Sequence, residues 1–374
     1  MKPSIFPLLL LLLAPSLRCP ADTPPRYKVI VLPLDFSGYA IVDDNHDKGG
    51  INARGQIAGM SAVRPNFFSE RLAALWQRGR LRILDPTPAR KKRDMANDYY
   101  TAAGAVNIHG NTVGEEIDSF SGAYSDTYTG ACVGLNGKWI VLGHFPVGDD
   151  SEALGINDHE DVVGAYFLHY DSHAESVSSS PTPPASFARH AFLRRQGQIK
   201  TLWEGTARSI NNRGEIVGIG DSGSPGKNGI LWRNGHLTLL KMQPVAINER
   251  TEIIGNIPLS TALYARDTGR AYLWRRGKLI NLSTQISHAS ALNNNGQVVG
   301  DVGDEGQLLP TRAVLWQQGR TYDLNRYVKM PNGWVLTNAV GINDSGWIVG
   351  EGSVYKTPKE TQAVKSFTFL LTPL

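Results

Sequence analysis

Two histidines and an aspartate stand at alternate positions in the stretch FLHYDSH: His169, Asp171 and His173. On an extended strand alternate side chains share one side, so these three would point the same way. Two imidazoles and a carboxylate are a donor set for zinc or copper. The stretch runs, however, into SVSSSPTPPAS (176–186), a Ser/Pro-rich segment of low complexity that fixes no rotamer. The expectation is no bound metal, with these three as the candidates. Asp43, Asn45 and Asp47 carry the odd-position oxygens of a calcium loop. Lys48 stands where that loop needs Gly and Arg54 where it needs Glu, so a solvated turn is expected. Arg90, Lys91, Lys92 and Arg93 form a charge run that would suit an anionic surface but reads as a solvated loop. No Gly-rich phosphate loop, Gly-x-Ser-x-Gly elbow or Cys-x-x-Cys pair occurs, and no cofactor is expected.

A second set of candidates is aromatic: Phe67, Phe68, Tyr99, Tyr100, Phe120, Tyr124, Tyr128, Phe167, Tyr170 and Tyr355. All fall in what reads as long connections (60–72, 87–102, 115–130, 165–189 and 351–365), where a rigid scaffold usually presents its binding groups. Trp76, Trp232, Trp274 and Trp316 could be taken for a sugar-stacking set, but their recurring position points to packing.

What must position these residues is a phrase that returns seven times, clearest as INDSGWIVG at 342–350. Its Asn falls at 52, 107, 157, 211, 248, 293 and 343, and each time a Gly follows seven residues later. A Gly three after the Asn occurs in five copies, with Glu160 and Thr251 in the other two. Asn-x-x-Gly between apolar runs is turn chemistry, since Asn can bond its own backbone and Gly supplies a left-handed position. At Glu160 and Thr251 no left-handed residue is expected. A second phrase follows, as in AALWQRGRLRIL (73–84) or AYLWRRGKLINL (271–282), and it reads as another strand, turn and strand. The unit therefore has four strands.

Successive Asn residues lie 55, 50, 54, 37, 45 and 50 apart, the period of propeller blades. Apolar residues in both hairpins are nearly consecutive, so both sheet faces are buried, as stacking blades around an axis requires. The fold expected is all-β: a seven-bladed β-propeller of four-stranded blades. The short turns fall on one face of the disc and the long connections on the other. YKVIVLPL (27–34) reads as a fourth strand without its first three, and SFTFLLTP (366–373) as a third without its fourth. The N-terminal strand is thus expected to complete the last blade, with Val29, Val31, Leu32 and Leu34 in the core.

The two phrases together resemble the bacterial probable extracellular repeat family named for its His-Ala-Phe motif, spelled here by His190, Ala191 and Phe192. The resemblance runs from about residue 28 to the C-terminus. It implies export and a repeat-built β architecture, and carries no common activity or ligand.

Met1 to Ala21 holds Lys2, an apolar run with six consecutive Leu, and a Cys19-Pro20-Ala21 end, which reads as a secretory signal cleaved near Ala21. Residues 22–374 are then one propeller domain, secreted or periplasmic. Cleavage would leave Cys132 without an intramolecular disulfide partner, so the fold must hold by packing. A formal net charge of +4 over 374 residues demands no nucleic acid. A monomer without a transmembrane segment is expected. The leading expectation for function is a binding module that takes a protein or glycan on its long-loop face. The alternatives are a propeller hydrolase or lyase with carboxylates or histidines at the axis, and a structural module of the cell envelope.

Overall fold

The computed structural model describes residues 24–33, 36–37, 40–42, 46–48, 50–62, 70–84, 97–120, 126–143, 145, 150–167, 189–220, 229–259, 269–303, 311–356 and 363–374. They form a seven-bladed β-propeller. Blade 5 shows the unit plainly: Gln243–Ile247, Ile253–Pro258, Gly269–Arg275 and Lys278–Asn281 pair in that order, each antiparallel to the last. Blade 6 repeats it over 286–323, and blades 1 to 4 over 50–83, 97–141, 150–204 and 205–240. The strand Gln198–Ile210 is the outer strand of blade 3 as far as Glu204 and the innermost strand of blade 4 from Gly205. Blades 1 and 2 are also stitched together by a short parallel pairing, Glu70 to Tyr99 and Arg71 to Tyr100.

The ring closes as the termini suggest. Tyr27–Val31 pairs antiparallel with Lys365–Pro373, making the outer strand of a blade whose other strands are Ile348–Val354 and Trp334–Ile342. The N-terminal strand buries less than its hydrophobic sequence promises. Tyr27 and Leu32 are buried and Val29 is half-buried, but Val31 points out with 42% of its surface exposed. An outermost strand has one open face, so alternate residues must face water. Leu34 lies outside the described residues. The Tyr27 hydroxyl is packed deeply enough that burial pushes its pKa up to about 12.

Each Asn turn is built as the sequence implies and then does more. The Asn Oδ1 accepts the backbone N–H two residues on at 2.9–3.1 Å in all seven blades. It also accepts the N–H four residues on at 2.9–3.0 Å. Meanwhile Nδ2 donates to the backbone carbonyl of the next blade's Asn, from Asn52 to Asn107 and onward to Asn343. Asn343 donates back to the carbonyl of Asn52 at 2.9 Å, 291 residues away in sequence. Seven buried amides thus form a closed girdle around the axis.

The third residue after each Asn is left-handed whether or not it is Gly. The five glycines have φ of 71° to 84°, and Glu160 and Thr251 have 63° and 56°. This corrects the expectation that those two positions are free of the constraint. Compensation comes from their side chains, which reach the preceding blade. Glu160 accepts from Asn111 Nδ2 at 2.9 Å, while Thr251 donates to Glu215 at 2.8 Å and accepts from Arg213 at 2.6 Å. Thr251→Ala keeps the strain and loses both bonds, whereas Thr251→Gly loses the bonds and relieves the strain. The Gly variant is therefore expected to be the more stable of the two by about 1 kcal/mol, the left-handed penalty of a Cβ. Equal midpoints in chemical denaturation would remove the strain argument.

The six turns between third and fourth strands, four of them Trp-x-x-Gly, are type I′, with positive φ at both central residues in every one, from Arg78 and Gly79 to Gln318 and Gly319. They lie on the same face as the Asn turns, because in five of the six the residue before the central pair joins the Asn turn of its own blade. Arg195 bonds Asp161, Arg233 bonds Glu215, Arg275 bonds Glu252, and Gln77 and Gln317 bond Gln56 and Gln297. Trp76 and Trp316 are buried, and Trp232 and Trp274 are half-buried against the clusters between blades, which is the packing role expected.

Candidate functional site

The innermost strands surround an axial channel, and their shape follows from a repeated irregularity. In blades 2 to 7 the inner strand bulges against the second strand, leaving Gly104, Leu154, Arg208, Val245, Ser290 and Val340 unpaired. All six line a cavity of about 250 Å³ on the axis. A bulge re-aims its residue away from the sheet, so this device turns one residue per blade inward in blades 2 to 7. Five are apolar or small; the sixth, Arg208, is a cation only 4% exposed, whose Nη1 donates to the carbonyl of Pro244 at 3.4 Å.

At the turn-face mouth a second cavity of about 200 Å³ is lined by Glu249, Asn294 and Asp344 above the girdle. These groups are engaged with one another: side chains of Asp158, Asn212, Glu249, Asn294 and Asp344 each accept the N–H of the corresponding residue in the preceding blade at 2.8–2.9 Å. The chain of bonds spans five of the seven gaps, and Ala53 and Ile108 interrupt it. This mouth is a hydrogen-bonded collar rather than a reactive centre.

Toward the loop face the inner and second strands carry ionisable groups just beyond the bulges. The residue after the repeat's second Gly is Glu115 in blade 2, Asn256 in blade 5, Asp301 in blade 6 and Glu351 in blade 7. Asn256 shows where this position points. It bonds the N–H of Ala289 at 2.9 Å, in the next blade's inner strand beside the bulge. Glu115 and Asp301 are 6% exposed, and Asp301 meets His288 Nδ1 at 3.3 Å across the strand pair. Glu152, 4% exposed on the inner strand of blade 3, pairs with Arg189, whose guanidinium lies 4.7 Å from the centre of the Phe167 ring. Burial raises the Tyr100 hydroxyl above its ordinary value, the Glu115 charge raises it further, and Arg71 opposes both. Ala102, two residues along from Tyr100, packs with Met60 and the channel-lining Leu154. The Tyr100 group therefore sits above the channel lining, where blades 1, 2 and 3 meet.

Only part of the aromatic set sits as expected. Tyr99, Tyr100, Phe120 and Tyr128 are in strands, because blade 2 extends its first three strands to ten, nine and ten residues, pairing Tyr100 with Ile117 and Asp118 with both Tyr99 and Tyr128. The stretches 87–102 and 115–130 are thus largely sheet: DYYT and DTYT are rich in aromatic and β-branched residues, which suit strands. Phe167 ends the strand Val162–Phe167 and is half-buried. Tyr355 is 7% exposed, tucked down with its N–H on the carbonyl of Gly333. Phe67, Phe68, Tyr124, Tyr170, the metal candidates His169, Asp171 and His173, the Arg90 to Arg93 run, Asp43 and Asn45 lie outside the described residues. Asp47 is in the short strand His46–Lys48. Among the described residues no three His, Cys, Asp or Glu side chains are grouped to hold a metal ion, and no helix is long and apolar enough to cross a membrane.

Glu115, Glu152, His288 and Asp301 are placed at corresponding levels of their blades by the ring, with His288 and Asp301 in contact, and sequence reasoning missed them. Their one local signal is the acid directly after the second Gly of a repeat, in GEE (114–116) and GDV (300–302).

No family pattern and no curated protein matches the sequence. Among solved structures the chain is similar to the β-propeller domain of the Trilobed protease from Pyrococcus furiosus, at 8% identity over 71% of this chain and 85% of that one, with a TM-score of 0.42. It is also similar to an ulvan lyase (8% identity, 88% and 95% covered, TM-score 0.35). With the acylaminoacyl peptidase of Pyrococcus horikoshii it shares 9% identity over 91% of its own length, spanning 54% of that chain, with a TM-score of 0.49.

Proposed function

We propose that this chain is a propeller hydrolase or lyase whose active site is the loop-face end of the axial channel. The supporting observation is a set of buried ionisable groups on the inner and second strands near the bulges: Glu115 beside Tyr100, Glu152 on Arg189, and Asp301 on His288. Carboxylates taken out of water and a half-buried phenol, each beside a charged or titratable neighbour, are what acid–base chemistry needs and what packing alone avoids. Arg208, turned into the channel by its bulge, would hold an anionic group of the substrate. The reading includes kinship with the His-Ala-Phe extracellular repeat proteins and export. An exported chain would have an intact mass that begins near Asp22.

Screening the mature chain against glycan, ester and peptide libraries for released product tests the reading. Turnover is expected to fall about 100-fold or more in Glu115→Gln and in Tyr100→Phe, with melting nearly unchanged. Capture of a ligand without turnover would favour a binding module on the same face, a reading that the Arg189 guanidinium stacked on half-buried Phe167 supports. Unchanged turnover in both variants would move the active site elsewhere.

A further inference from the structure

The turn face holds a cavity of about 330 Å³ at the seam where blade 7 meets blade 1, lined by Arg54, Gln77, Arg78, Ser345 and Trp347 around Ala53 and Gly55. It exists because the pattern changes there twice. The residue four after the ring Asn is polar in six blades (Gln56, Asn111, Asp161, Glu215, Glu252, Gln297) and Trp347 in the seventh. Blade 7 also lacks a third-to-fourth hairpin, since its outer strand comes from the other end of the chain. The indole leans over Gly55, where a Cβ would lie 2.5 Å from the ring, and is half-buried.

The charge pattern changes at the same place. In blades 3, 4 and 5 the turn-face arginines are neutralised by buried acids: Arg195 by Asp161, Arg213 and Arg233 by Glu215, Arg250 and Arg275 by Glu252. Blade 1 has Gln56 and Gln77 at the equivalent positions, bonded to each other at 3.3 Å. Arg54 and Arg78 are exposed, and among the described residues neither guanidinium makes an ion pair or hydrogen bond. No carboxylate lines the cavity.

We propose that this seam cavity binds one acidic sugar unit, a uronate or sulfated sugar, of an anionic glycan. An acidic sugar offers all three chemistries that the walls match. Its ring has an apolar face for the Trp347 indole. Its hydroxyls suit the Gln77 amide and the Ser345 hydroxyl. Its carboxylate or sulfate suits two guanidinium forks, which bind planar or multi-oxygen anions by paired hydrogen bonds. The volume is at the lower end of about 300–1,000 Å³ for ligand sites, the scale of one unit. This site is on the opposite face from the proposed active site and does not depend on it.

Calorimetric titration of the full chain with a sulfated, uronate-containing oligosaccharide, its neutral counterpart and inorganic sulfate tests the proposal. The acidic oligosaccharide is expected to bind, and to weaken as salt is raised. The neutral one is expected not to bind, and sulfate at least tenfold more weakly than the oligosaccharide. The double variant Arg54→Ala, Arg78→Ala changes only exposed side chains and is expected to lose at least tenfold in affinity with its melting unchanged. Glu115→Gln on the other face is expected to bind as the parent does. No binding of the acidic oligosaccharide, equal binding of bare sulfate, or full affinity in the double variant would each overturn the proposal.

Discussion

A chain lacking residues 24–32 is expected to be insoluble, or to melt without a cooperative transition. The deletion removes the outer strand of blade 7 and with it buried Tyr27 and Leu32. At about 1.5–3 kcal/mol for each large side chain, these two alone amount to roughly 3–6 kcal/mol, an upper bound set against a whole stability of about 5–15 kcal/mol. The exposed remainder makes matters worse. Lys365–Pro373 would become an open edge nine residues long, carrying buried Phe367, Phe369 and Leu371 of the adjoining core. Unpaired apolar edges of that length recruit other chains. Circular dichroism and light scattering on the truncated chain measure both effects. Cooperative melting at the parent's temperature would mean that the ring is held shut mainly by other contacts, such as the Asn343 amide on Asn52.

The architecture was legible because each blade repeats its turn chemistry, and local chemistry is what a sequence displays. The same turns contained a further clue. A turn that needs only a side-chain oxygen would accept Asp as readily as Asn. All seven positions are nevertheless Asn, while the residue after them varies among Asp, Asn, Glu, Ala and Ile. That restriction reflects the Nδ2 donor, which Asp lacks and which closes the girdle. Other features left weaker traces. The left-handed state of Thr251 was masked by a side chain that compensates for it across the blade boundary. Tyr99 and Tyr100 read as loop residues because blade 2 outgrows the repeat, and a template shows no more than what recurs. The axial groups are the least legible of all. Glu115 and Asp301 belong to blades 2 and 6, far apart in the chain, and nothing local says that the ring sets them at one height.

Gly218→Ala is expected to destabilise the chain by about 3 kcal/mol or more, although a helix- or strand-propensity argument would make it nearly neutral. The second Gly of each repeat has no unusual φ, so conformational freedom does not explain why it recurs seven times. In blades 2 to 7 the inner-strand bulge explains it. Where the extra residue is inserted, the inner strand swings a carbonyl oxygen into the space a Cβ would take. A Cβ on Gly218 would lie 2.0 Å from the oxygen of Thr206, and on Gly114, Gly164, Gly255, Gly300 and Gly350 it would lie 1.8–2.3 Å from the equivalent oxygens. Backbone cannot rotate away as a side chain can. Either the bulge flattens or the two strands part, and flattening would withdraw Arg208 from the channel, because Arg208 is that bulge's unpaired residue. The control is Gly235→Ala, in a type I′ turn with φ of 88° and nothing within 4 Å of the added methyl, where only the left-handed penalty of about 1 kcal/mol applies. Denaturation midpoints of the two variants decide between the causes. If Gly235→Ala proved as damaging as Gly218→Ala, backbone conformation rather than the bulge carbonyl would be what the repeated glycine serves.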